Sequence, residues 1–293
     1  RALKNAGWKT VHLGYPPDIA FWDSDITPAR KGRLDRLNPS IKMFVYPHAA
    51  RPPMYYDFEG WSGHRRTLAQ FVHAPGHKEV LKILGYDKPI YPVGWSYSPV
   101  RNFQESPFPP KNIVFAPIHA NQNGWLAPID KDLNIRVMKK LTELKKEEPK
   151  LKILIRYIRD LGLCGLTEQE GFHYTCGQTD GSITEIRWAD FVIAHQTYAY
   201  MGVAMGVPTA MFGEDLPPRV GNCPDNYQEV AHWNSYRHLM EYPLDLLNHS
   251  HSSLWQFILS VCRSDKEIKG WKERMIGDQF SPSLFIKSLN YHL

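Results

Sequence analysis

The stretch Ala189–Asp215 reads ADFVIAHQTYAYMGVAMGVPTAMFGED, and it decides the fold class. Asp190 precedes Phe191-Val192-Ile193-Ala194, an apolar run of the length of a buried parallel strand. The run stops at a polar turn, His195-Gln196-Thr197. A helix is expected next, with Thr197 as its N-cap and an end near Gly206, where glycine can adopt the left-handed conformation. Val207 to Phe212 then forms a second strand, with Pro208 tolerable at its start, and Glu214-Asp215 an acidic loop. A polar turn at the carboxyl end of a parallel strand, leading into a helix N-terminus, is where open α/β sheets bind anions and nucleotides.

Outward from this unit, short strands and helices alternate along the chain. Strands are expected at Val11–Gly14, Lys42–Tyr46, Ala69–His73 and Ile90–Val93, with a helix over His77–Leu84. Arg101–Lys111 is proline-rich and aperiodic, a linker. Beyond it come a strand at Asn112–Ile118, a helix over Lys131–Glu148 and a strand at Leu151–Arg156. The helix shows its apolar residues at Leu133, Val137, Leu141 and Leu144. A short strand at Phe172–Cys176 precedes a helix beginning at Ser182, with Ser182 as N-cap and Glu185 completing a capping box. Pro217–His238 is irregular and polar, and helices over Asp265–Met275 and Pro282–Leu289 close the chain.

This order predicts two Rossmann-like α/β domains facing across a cleft, the default place for a ligand. They are expected at 1–105 and 112–264, with helices in 265–293 crossing back to the first. Arg1–Trp8 reads as the end of a helix whose preceding strand is missing.

The chain has 293 residues, 43% of them apolar, enough for a substantial core. No run reaches the roughly 20 apolar residues that a membrane helix needs. The four cysteines lie far apart, without metal-clip spacing, which favours a reduced, cytoplasmic setting. The net charge of +5 suits an anionic ligand such as a nucleotide. It is not gathered into the long basic runs of a nucleic-acid footprint.

Candidate chemistry gathers at strand ends. His119 ends the strand at Asn112–Ile118 and is followed by Asn121, Gln122 and Asn123, whose amides can donate to phosphate or sugar oxygens. Arg156 ends the next strand; it either clamps a diphosphate or pairs with Asp160 or Glu185. Asp180 and Ser182 lie on a turn that contacts a nucleobase or simply caps a helix. On the proposed anion turn sit His195, Gln196, Thr197 and Tyr198, with His195 able to neutralise a leaving group as imidazolium. Glu214 or Asp215 either accepts a ribose diol or pairs with Arg219. In the first half His48, Arg51, His73 and His77 follow strands, and His48 is favoured as a general base, with Asp57 and Glu59 as rivals. No metal and no cofactor are expected, since neither a His-Xaa-Xaa-Xaa-His helix nor an Asp-Xaa-Asp cluster is read.

These residues resemble a family. Val114–His119, the strand ending at Arg156, Ala189–Ile193 before its polar turn, and Gly206-Val207-Pro208 before a strand and acidic loop look like the donor domain of GT-B-type glycosyltransferases. Related proteins are the CDP-glycerol glycerophosphotransferases and the non-hydrolysing UDP-GlcNAc 2-epimerases. Val72–Lys78 and Tyr91–Trp95 look like the end of the acceptor domain. The resemblance implies transfer of a sugar from a nucleotide-diphosphate donor, UDP-linked for example, to a hydroxyl acceptor without metal. The acceptor would be a small molecule, a glycan or a modified base of phage DNA. A glycerophosphotransferase, an epimerase and a non-catalytic nucleotide- or nucleic-acid-binding protein are the alternatives. The sequence departs from the pattern at Met201–Ala204, where many such enzymes carry a glutamate. The ribose contact therefore shifts to Glu214 or Asp215.

Overall fold

A computed structural model describes residues 19–22, 40–46, 67–83, 88–95, 107–119, 126, 128–177, 182–212, 246, 250–277 and 280–293. The chain forms two compact units. Described residues of the first lie within Arg1–Ser98 and Glu273–Leu293, those of the second within Pro99–Asp215 and Tyr242–Lys272.

The first unit holds a parallel sheet of β1 (Ile19–Trp22), β2 (Lys42–Val45), β3 (Thr67–Val72) and β4 (Ile90–Pro92), in that spatial order. Parallel neighbours need crossovers, and α1 (Pro75–Ile83) supplies the one from β3 to β4. One face of this sheet is covered by α7 (Pro282–Asn290) at the chain's end. Phe285 and Leu289 of α7 are buried with Phe44, Ala69, Phe71 and Val93. The Phe285 and Phe71 ring centroids lie 4.6 Å apart. Ser281 caps α7 with its hydroxyl, and proline occupies the first turn, where a missing N–H costs nothing. Gly76, in the first turn of α1, sits against Arg274 and Met275 at the end of α6 (Asp265–Met275); a Cβ there would lie 2.8 Å from the Arg274 carbonyl oxygen.

The second unit is a five-stranded parallel sheet of β5 (Asn112–Ala116), β6 (Lys152–Tyr157), β7 (His173–Cys176), β8 (Phe191–Ala194) and β9 (Thr209–Met211). Its spatial order is β7-β6-β5-β8-β9. β5 and β8 are central, and β8 is buried along its whole length, as its unbroken apolar run requires. Asp190 fixes the start of their pairing. Its carboxylate accepts from the Lys111 and Asn112 amides, both at 2.9 Å. Helices α2 (Pro128–Glu147), α3 (Ser182–Trp188), α4 (Gln196–Ala204) and α5 (Leu254–Val261) pack around the sheet. The α2 stripe Leu133, Val137, Leu141 and Leu144 is buried in the core, with Phe257 and Ile258 of α5.

Several expectations need correction. α2 begins at Pro128, three residues before Lys131, because proline suits the first helical turn. α4 begins at Gln196 with His195, extended at φ −120°, as its N-cap; Thr197 is already helical. The cap lies two residues earlier than the polar run suggested. α3 spans Ser182–Trp188, and Glu185 in its first turn pairs with Arg156. β1 and α5 have no counterpart in the sequence reading. Gly206 does take the left-handed conformation, φ 78°, just past α4. The strand expected at Val11–Gly14 and the irregular stretch Pro217–His238 lie outside the described residues.

Candidate functional site

The second sheet changes direction at one place. From β5 the chain moves to β6 and β7 on one side; it then returns to β8 and β9 on the other. Such a strand-order reversal parts the loops at the carboxyl ends of the two central strands and leaves a crevice there. His119 follows β5 and His195 follows β8, so both flank this switch point. His195 is the N-cap residue of α4, with no capping bond from its side chain, and the first-turn amides of α4 have no carbonyl partner within the helix. The imidazole of His195 lies 6.0 Å from the Phe212 ring, centroid to centroid.

His119 keeps an exposed face. The protein packed around it lowers its pKa from the ordinary 6.5, and the charges of Arg156 and then Arg159 lower it further. Both effects favour the neutral ring, an acceptor at one nitrogen and a donor at the other.

Arg156, at the carboxyl end of β6, is only 5% exposed. Its Nε donates to Glu185 at 3.0 Å and one terminal nitrogen to the Gly177 carbonyl at 3.0 Å. The guanidinium lies 5.2 Å from the centre of the Tyr198 ring. Tyr198, buried in α4, donates its hydroxyl to Glu185 at 3.4 Å. Burial, foremost, and the Glu185 charge raise its pKa, with Arg156 opposing, so the phenol stays protonated. Of the two readings of Arg156, the structure displays the pairing with Glu185. The network ties β6, the end of β7, α3 and α4 together beside the switch point.

A second element was not legible as a site residue. Asn134 of α2 is fully buried, and its carboxamide brackets Ile118, accepting from the amide and donating to the carbonyl, both at 2.8 Å. It also donates to the Cys164 carbonyl at 2.9 Å. The available signal was an amide set beside Leu133 at the edge of an apolar helical stripe.

In the first unit, Tyr46, His73 and Trp95 follow β2, β3 and β4, and His77 sits in the first turn of α1. His73 is 2% exposed and packs against Tyr46, His77 and Trp95 at centroid distances of 5.5, 6.0 and 6.3 Å. The Gln70 carboxamide of β3 and the Trp95 indole nitrogen are buried without a hydrogen-bond partner among the described residues. Buried polar groups are rarely left so, and functional sites are one place where they are. The signal for Gln70 was a polar residue within an apolar strand.

The structure thus brings His119, His195, Arg156 and Tyr198 to one end of one sheet. Gln196, Thr197 and Ser182 have described backbone but no described side chain. His48, Asn121, Asn123, Asp180, Glu214 and Asp215 lie outside the described residues. Among the described residues no three His, Cys, Asp or Glu side chains gather as a metal site, and no helix is long and apolar enough to cross a membrane.

No protein-family model and no curated protein matches the sequence. Solved structures do. S. aureus MnaA, solved with UDP, is 10% identical, with 94% of this chain and 74% of that chain covered at a TM-score of 0.52. The UDP-GlcNAc 2-epimerase of Neisseria meningitidis, solved with UDP-GlcNAc, is 12% identical, with 94% and 76% covered at 0.49. The wall teichoic acid polymerase TagF is 13% identical, with 87% and 69% covered at 0.42. In fold, this chain is similar to the GT-B proteins, its two parallel sheets fitting two Rossmann-like domains.

Proposed function

We propose that the protein is a glycosyltransferase of GT-B type that takes a sugar from a nucleotide-diphosphate donor. One observation carries the reading: β5 and β8 are neighbours at a strand-order reversal, and a histidine follows each of them, with a helix N-terminus after β8. That arrangement suits a diphosphate, which the α4 amides and His195 would receive. His119, neutral, would hydrogen-bond the donor. That S. aureus MnaA was solved with UDP supports testing UDP first.

On this reading the acceptor belongs to the first unit. With His48 outside the described residues, His73 is the described histidine we assign as base, since it follows β3 and packs against Tyr46, His77 and Trp95. In the transfer, the acceptor oxygen forms a bond to the sugar's anomeric carbon and gives its proton to the base. The bond from that carbon to the diphosphate breaks, and the nucleotide leaves with the electron pair. Charge developing on that oxygen falls where His195 and the α4 dipole stand.

The test is a thermal-shift panel of UDP, GDP, CDP, ADP and dTDP. A diphosphate at 100 times its Kd should stabilise by about 2.7 kcal/mol. Binding of at least one, weakened by His195→Ala, is expected. No shift with any of the five would remove the donor site. Release of a free altered sugar from donor alone would replace transfer by epimerisation.

A further inference from the structure

The Asn134 bracket stands on geometry independent of any ligand. Main-chain groups past a strand end have lost the sheet ladder and need other partners. Ile118 lies two residues beyond β5, and its amide and carbonyl both bond to one carboxamide at 2.8 Å. A carboxamide can do this because it presents a donor and an acceptor side by side, as a neighbouring strand would. Its second N–H reaches Cys164, in the 3-10 turn Gly162–Cys164 that follows β6. One side chain on a long helix thus fixes the exits of two adjacent strands. The residue after Ile118 is His119.

We infer that Asn134 is a positioning residue, setting where His119 stands at the switch point by holding Ile118 to the turn after β6. It touches no ligand; it acts through the backbone. The neighbouring stripe residues Leu133 and Val137 are apolar and fully packed, and a leucine would serve packing alone. Three main-chain bonds to charge-free partners make a rigid bracket, and sites built on such supports hold their geometry. Burial, and then the charges of Arg156 and Arg159, lower the pKa of His119, so a displaced ring would feel them differently.

The inference rests on the proposed donor site for its purpose, and its test separates the two. The full chain is compared as wild type, Asn134→Ala and Val137→Ala, the last a buried truncation one turn along α2. The His119 ring is followed by NMR titration, and UDP affinity by calorimetry. In Asn134→Ala the His119 midpoint should move up toward 6.5, and the UDP Kd should rise about tenfold. Val137→Ala should leave both unchanged. If Asn134→Ala does not fold, Asn134→Ser, which cannot span both Ile118 groups, takes its place with the same expectation. A His119 titration identical to wild type overturns the inference, as does an equal shift in Val137→Ala. Absence of UDP binding by wild type refutes UDP as the donor's nucleotide, while the titration still judges Asn134.

Discussion

Replacing Arg156 by methionine isolates what the buried ion pair does. Methionine keeps most of the aliphatic stem and so most of the packing. What goes is the charge, 3.0 Å from Glu185, the bond to the Gly177 carbonyl and the stacking on Tyr198. Arg156 and Glu185 are 5% and 12% exposed, so water cannot replace the lost partner. Breaking one side of a buried pair costs about 3–5 kcal/mol, chiefly because the remaining charge is stranded. The residual exposure of Glu185 places the expected loss near the lower bound, about 3 kcal/mol. Removing both charges in Arg156→Met/Glu185→Leu leaves nothing stranded, and stability should return to within about 1 kcal/mol of wild type. Native-state hydrogen exchange reads this locally, which matters in a chain of two units, where one global unfolding energy is not defined. Amides of β5, β6 and β8 should open more readily in the single variant and recover in the double; those of β2 and β3 should not change. A single variant within 1 kcal/mol of wild type, or a double variant as unstable as the single, would refute this account. UDP binding by the double variant would further show that Arg156 serves as a brace and is not a diphosphate clamp.

Two other outcomes follow from the same structure. Phe285→Ala removes a ring that is 6% exposed and 4.6 Å from Phe71, so the first sheet should lose about 3–5 kcal/mol, seen as faster exchange in β2 and β3; unaltered protection there would mean that α7 is not part of that core. His119 has a folded pKa below its unfolded 6.5, so in that window the unfolded chain binds more protons and stability rises with pH. This contribution, present above pH 6.5, is lost as pH falls through the folded value; denaturant midpoints at pH 5 and pH 7 should therefore differ more in wild type than in His119→Gln, and an equal difference would contradict the shift.

Local patterns carried the alternation of strands and helices. The run at Phe191–Ala194 had the length of a strand buried on both faces, and Gly206 followed by Pro208 fitted a helix end; the structure bears out both. The α2 stripe likewise had a single interpretation, because 3.6-residue spacing of leucines has no other use in a chain of this kind. Boundaries were less determined. The cap of the helix after β8 is His195 and not Thr197, because a cap is chosen by where the backbone leaves the strand, and a run of polar residues does not say which peptide turns.

Sequence alone, then, determined that this is an α/β chain with histidines, an arginine and a glycine-terminated helix at strand ends, since periodicity and turn chemistry act over a few residues. Tertiary structure decided which strand ends are neighbours. The order β7-β6-β5-β8-β9 brings His119 and His195 together across 76 residues of sequence, turns Arg156 onto Glu185, and gives Asn134 its hold on Ile118. The Arg156–Glu185 pair was one of several readings the sequence left open, and the other two left no local trace, because contact between distant segments depends on how helices lie on a sheet, and that is settled by burial of whole apolar faces rather than by neighbouring residues.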